Sequence, residues 1–223
     1  MSAPAPALFE RLRAAAPAAW QRYVAHPFVQ QMEQGTLPEA AFRRYLEQDY
    51  LFLIQYARAW ALAICKSRSL ADMNVARGGL NAILDEMQLH VRLCARWGVS
   101  EAALQTAAEH RATVAYTRYV MDCGYSGDLL DLLVALLPCM TGYAEIGLRL
   151  APALAARPDH PYREWISEYA GAPFQQAAQA SARHLDEVAT PLLTPARFEQ
   201  LASTFARACE LEADFWQMGL QEA

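Results

Sequence analysis

The chain is nearly devoid of lysine: Lys66 is the only one, and the other basic residues among the 19 are arginine. The net charge is −5, and no stripe of basic side chains of the kind that neutralises phosphates runs along the sequence. Nucleic acid is excluded as an expected partner. Strand-like alternation bounded by turn signals is missing, which excludes a β or α/β architecture. There is no C-x-x-C pair. Cys65, Cys94, Cys123, Cys139 and Cys209 are scattered and odd in number, which argues against a disulfide framework or a cysteine-rich zinc site. No apolar run approaches the roughly 18 residues of a membrane span, and no signal-peptide pattern opens the chain. The expected setting is cytosolic, with no membrane partner.

What is present is apolar material, 54% of the residues, repeating at helical spacing almost from end to end. This predicts one all-α domain over residues 1–223 with seven or eight helices. Their predicted spans are about 6–34 (interrupted at Pro27), 38–66, 70–97, 100–123, 127–157, 161–170, 173–190 and 195–221. Thr36-Leu37-Pro38-Glu39 and Ser69-Leu70-Ala71-Asp72 resemble capping boxes, in which hydroxyl and carboxylate satisfy orphan backbone N–H groups. Pro195 fits a first helical turn, and Gly35, Gly98 and Gly124 mark expected helix ends.

The functional signal lies in polar residues placed where the helical stripe asks for apolar ones. The second predicted helix runs Phe42, Leu46, Asp49, Leu53, Tyr56, Trp60, and a carboxylate is costly there unless paired. Asp49 is therefore either a hydrogen-bond acceptor for a neighbouring helix or a ligand-binding group. The last helix runs Phe198, Leu201, Phe205, Cys209, Glu212, Trp216, which makes Glu212 either half of a structural pair or a desolvated proton donor. The fifth predicted helix offers Leu136, Cys139, Tyr143, Ile146 and Leu150 on one face, with Pro138 directly before the cysteine. A lone cysteine on such a face is usually inert packing, but this one shares its face with Tyr143, and two other helices present carboxylates on their apolar stripes. Glu86 and His90, four apart, would place two metal ligands on one helix face. His26, His110, His160 and His184 supply no matching second set, so no metal is expected.

Several segments, in this order and spacing, resemble the TenA, or thiaminase II, family. They are His26-Pro27-Phe28-Val29-Gln30, Gly35-Thr36-Leu37-Pro38 leading to Phe42, Gln48-Asp49, Glu86 to His90, Leu136-Leu137-Pro138-Cys139 with Tyr143, Trp165-Ile166 to Tyr169, and Glu212 to Phe215-Trp216. The resemblance covers nearly the whole chain. It implies a helical bundle like that of haem oxygenase, a homotetramer, no cofactor, and hydrolysis of thiamine or of an aminopyrimidine formed when thiamine degrades, with hydroxymethylpyrimidine returned for salvage. By the same resemblance Cys139 is the nucleophile, Glu212 the acid/base, and Asp49 the group that binds the aminopyrimidine edge. Phe52, Tyr116, Tyr143, Tyr169 and Phe215 complete the pocket. Phe52 stands where members of the family carry a tyrosine, which leaves the preferred substrate open. The competing readings are a transcriptional regulator, a pyrroloquinoline-quinone-synthase-like or di-metal oxidase role on the same fold, and a non-catalytic small-ligand binder.

Overall fold

Eleven helices and no strand make up residues 7–221, which are the residues that the computed structural model describes. The long predicted helices appear with ends within a few residues: α4 (Glu39–Lys66), α5 (Leu70–Arg96), α8 (Leu129–Ala156), α9 (Arg163–Ala170), α10 (Ala172–Ala189) and α11 (Pro195–Leu220). The helix count exceeds the expectation because two predicted spans are divided. The first becomes α1 (Leu8–Ala15), α2 (Pro17–Val24) and α3 (Pro27–Gln34), and the fourth becomes α6 (Glu101–Thr106) and α7 (Arg111–Ser126).

Prolines and histidines cause the breaks. Pro17 and Pro27 have no N–H to continue a helix and sit in the first turn of the next one. His26 caps α3 by accepting the Phe28 N–H on Nδ1 at 3.2 Å, and His110 caps α7 by accepting the Ala112 N–H at 3.1 Å. The Ser69 cap forms as expected, accepting the Asp72 N–H at 3.1 Å. Thr36 does not cap α4: its hydroxyl donates to the Gln31 carbonyl, and Pro38 takes the cap position without a side-chain bond. Gly35 and Gly98 adopt φ of 67° and 76° after their helices. Gly124 lies within α7 instead of ending it, and a Cβ there would stand 2.6 Å from Leu62 Cδ2, the far end of a flexible side chain.

The chain divides into two compact units whose boundaries fall between α3 and α4 and inside α8 and α11. One contains the chain to Thr36 together with Leu133–Ala213. In it α10 packs on α1 and α9, the Leu8 N–H bonds Asp186 at 2.7 Å, and Trp20 Nε1 donates to Glu145 at 3.2 Å. The other contains Leu37–Leu132 and the chain from Asp214. There α4 packs on α5, α6 and α7 through the predicted stripe, all six members of which are buried. Each large apolar side chain so buried contributes about 1.5–3 kcal/mol.

Helix α8 is long and apolar enough to cross a membrane, with mean hydropathy 1.6 over its most apolar window. That window is 78% buried within the protein, as befits a core helix. Tyr23 lies against it and donates a hydrogen bond to the Pro138 carbonyl at 3.3 Å. The contact requires Gly142, where an added Cβ would stand 2.1 Å from the Tyr23 ring. Gly142→Ala is therefore expected to displace Tyr23 and destabilise the protein by about 1–3 kcal/mol, the usual cost of overpacking a filled core. A thermal melt beside the parent protein reads this as a lowered Tm.

Candidate active site

Asp49 lies midway along α4 with 4% of its surface exposed. Its Oδ2 accepts a hydrogen bond from the Tyr45 hydroxyl at 3.0 Å, one helical turn earlier, and stands 3.6 Å from His90 Nδ1 on α5. Burial pushes the Asp49 carboxyl up to about 7, against the opposing pull of the Tyr45 hydrogen bond. Burial also holds His90 below its ordinary value, against the Leu46 carbonyl and the Glu86 charge. The stripe signal at Asp49 thus marks a carboxyl that titrates near neutral pH.

Phe52, one turn beyond Asp49, stacks on Tyr116 (centroids 5.1 Å apart) and on Tyr56 (5.3 Å), and meets Phe215 at 5.7 Å. Three predicted pocket residues are therefore in ring contact. The start of α7, which carries Tyr116, is fastened to α4 by Gln48. That side chain accepts from the His110 N–H at 2.8 Å and the Thr113 hydroxyl at 2.7 Å, and donates to the Ala108 carbonyl at 3.0 Å. A phenylalanine at 52 fits a site walled by rings, where a hydroxyl would have to find its own partner.

In the other unit, Cys139 sits on α8 directly after Pro138 and is half-buried. One turn on, Tyr143 packs against Tyr169 at 4.9 Å and Trp165 at 5.8 Å, and those two rings meet each other at 4.5 Å. Glu212, on α11, is 1% exposed within its predicted stripe. Its charge, after burial itself, holds up the thiol of Cys209 one turn before it. Cys94 is also fully buried and pushed up to about 12, by burial and by the Asp49 and Glu47 charges. Cys94 and Cys209 are therefore poor nucleophiles, since the thiolate is the reactive form. The five cysteines form no disulfide.

With this geometry in place, the sequence pattern of the TENA/THI-4/PQQC family matches residues 13–222. The chain belongs to that family. An uncharacterized protein of Haemophilus influenzae is 42% identical over 216 residues, covering 97% of this chain and all of that one. An aminopyrimidine aminohydrolase of Halalkalibacterium halodurans is 38% identical over 205 residues, covering 91% of each chain. Among solved structures, a TenA family transcription regulator from Silicibacter sp. TM1040 superposes with a TM-score of 0.91 at 44% identity over the full length of both chains. A Shewanella denitrificans domain with a heme oxygenase-like fold, 12% identical and covering 95% of this chain and 91% of that one, superposes with a TM-score of 0.75 and bears on the fold alone. The fold is all-α and haem-oxygenase-like, as the resemblance implied.

Within this TenA-family chain Asp49, Tyr143 and Glu212, which periodicity placed on apolar stripes, are buried, as are Phe52, Tyr116, Tyr169 and Phe215, which the resemblance supplied, while Cys139 is half-buried. Tyr45 and the Asp49–His90 approach were not foreseen. A tyrosine four residues before a carboxylate is a readable helix-surface pair, whereas a contact between helices leaves no spacing signal. His90 has its Nε2 on the Leu46 carbonyl at 2.9 Å and its Nδ1 toward Asp49. Among the described residues no group of three or more His, Cys, Asp or Glu side chains is placed to hold a metal ion.

Proposed function

We propose that this chain is a cytosolic hydrolase of thiamine-derived aminopyrimidines that replaces a side-chain amine by hydroxyl and releases hydroxymethylpyrimidine for salvage. The observation that supports it most is the placing of half-buried Cys139 one turn before Tyr143, whose ring packs against Tyr169 and Trp165, in a chain 38% identical to an aminopyrimidine aminohydrolase. A neutral heteroaromatic ring is a poor electrophile, so attack on it needs a soft nucleophile together with a proton for the ring. In this reading the Cys139 thiolate adds to a ring carbon while Glu212 protonates a ring nitrogen. The side-chain amine, leaving from its protonated form, departs as ammonia; water adds to the carbon it leaves and gives up a proton in turn, and return of the ring proton to Glu212 expels the thiolate. Water is consumed and ammonia released, with no cofactor.

Asp49 binds the amino edge of the ring. Phe52, Tyr116, Tyr143, Tyr169 and Phe215 supply apolar faces for it, aromatic rings favouring offset or edge contacts. The test is release of hydroxymethylpyrimidine from thiamine and from the aminomethylpyrimidine, each supplied as sole substrate. Release from the second only would make the degraded pyrimidine the substrate; release from neither would end the reading.

The chain acts in this proposal as one domain over 1–223 and as a homotetramer. Leu70, Met73 and Leu84 lie on one side of α5 and are 78%, 36% and 53% exposed, an apolar face suited to contact with another copy. Light scattering at micromolar concentration should give four times the mass of the chain. A monomer mass would count against the assembly without touching the chemistry.

A further inference from the structure

The Asp49–His90 approach has more to it than burial. The Leu46 carbonyl can only accept a hydrogen bond, so the His90 Nε2 that meets it at 2.9 Å carries the ring hydrogen. In a neutral ring Nδ1 is then a lone pair, and it points at Asp49 Oδ2 from 3.6 Å with both side chains 5% exposed. Two groups of this kind are compatible when a proton lies between them and repel when it is absent. The Tyr45 hydroxyl also ends on Oδ2, and among the described residues Oδ1 takes no hydrogen bond.

We propose that His90 is a positioning residue that holds one proton jointly with Asp49 on the Oδ2 side, so that Asp49 offers Oδ1 to an N–H donor of the ligand without a buried net charge. The ligand clause rests on the aminopyrimidine reading above. Such a pair favours a neutral ring with an amino group over a ring already protonated. Once the shared proton is lost at higher pH, the bare carboxylate favours the cation.

Few other charges face the pair. Tyr45 and Glu47 come from α4 itself, and Glu86 and Cys94 from α5. α6 turns the apolar Leu104 inward and keeps Glu101 exposed; α7 turns in Thr113 and Tyr116 and keeps Arg111 and Arg118 exposed. The stretch of α11 in this unit turns Phe215 and Trp216 to Tyr45 and keeps Asp214 exposed. The upward push on Asp49 and downward push on His90 agree with a neutral pair.

The experiment is NMR of the full, ligand-free chain labelled with carboxyl-13C aspartate and 15N histidine, titrated from about pH 5.5 to about 8, the range in which imidazole and a raised carboxyl both change charge. The expected result is a neutral His90 with its hydrogen on Nε2 throughout and an Asp49 carboxyl that titrates near neutrality. In His90→Asn the amide can donate to the carboxylate, so the Asp49 midpoint should fall by about one unit or more. A cationic His90 beside an ionised Asp49 overturns the proposal, as does an unmoved Asp49 midpoint in the variant. If His90→Asn does not fold, the wild-type ring signals and carboxyl titration decide. Calorimetry with 4-aminopyrimidine separates the two readings. A shared proton with no binding defeats the proposed substrate class and leaves the pair standing, while binding with Asp49 ionised throughout defeats the pair alone.

Discussion

Cys139→Ser is expected to abolish hydroxymethylpyrimidine release while leaving the helical fold and the melting temperature close to those of the parent. Serine is nearly isosteric with cysteine, and the site is half-buried on a helix held by Tyr23 and Pro138, so little packing is disturbed. The chemistry changes far more. An unassisted hydroxyl stays protonated near neutral pH and adds poorly to a ring carbon, whereas a thiolate is the softer and more accessible nucleophile. Loss of the nucleophile should lower kcat by about 10³-fold or more, as happens when one member of a catalytic unit is removed. Progress curves at high enzyme concentration measure the residual rate, and circular dichroism checks the helices. Turnover retained within tenfold in a well-folded variant would remove covalent attack by Cys139.

Glu212→Gln is expected to have the second largest effect. The amide keeps the shape of the side chain in a place that is 1% exposed, but it can neither give nor take the proton that the ring needs. General acid–base assistance typically contributes about 10²–10⁴-fold, so kcat should fall within that span while KM for the aminopyrimidine moves only a fewfold. Steady-state kinetics on the same substrate separate the two constants. If KM rises as much as kcat falls, Glu212 holds the ligand and the proton carrier must be sought elsewhere. The substitution also removes one of the charges that hold up the Cys209 thiol, so Cys209 should become easier to ionise.

The burial of Glu212 and Asp49 was legible in the sequence for a simple reason. A carboxylate inside an apolar stripe breaks a period that helices otherwise keep, and the period survives in sequence because the helices are long. The same length explains why α4, α5, α8 and α11 were read with nearly correct ends. Cys139 breaks no such period, since free cysteine packs as a small hydrophobe, and it stood out only by its company on the stripe and by the family resemblance. Short helices were less legible. The breaks that separate α1 from α2 and α6 from α7 depend on single residues, Pro17 in one case and His110 in the other; a proline can also sit inside a helix, as Pro138 and Pro152 do in α8, and a histidine cap looks in sequence like an ordinary helical position. Gly124 was misread because a glycine that ends a helix and one that admits a neighbouring leucine are the same letter. The His90 contact with Asp49 joins residues 41 positions apart, and only packing of α4 on α5 reveals it.

The histidine caps have a consequence for how the fold responds to acid. His26, His110 and His160 each use Nδ1 to accept a backbone N–H two residues on, from Phe28, Ala112 and Tyr162. A protonated imidazole has no lone pair there, so each of these bonds exists only while the ring is neutral. For His110, burial first and then the charges of Arg111 and Arg44 hold the pKa below its ordinary value. A depressed histidine stabilises the folded state above the unfolded pKa of roughly 6.5, and that contribution is lost as pH falls through the lower folded value. Acidification therefore weakens the cap of α7, while the Gln48 bonds that fasten this helix start to α4 do not depend on the ring's charge; Tyr116 stands about one and a half turns from that end. The cap of the helix that carries Tyr116 is thereby tied to the neutrality of a histidine outside the ring contacts.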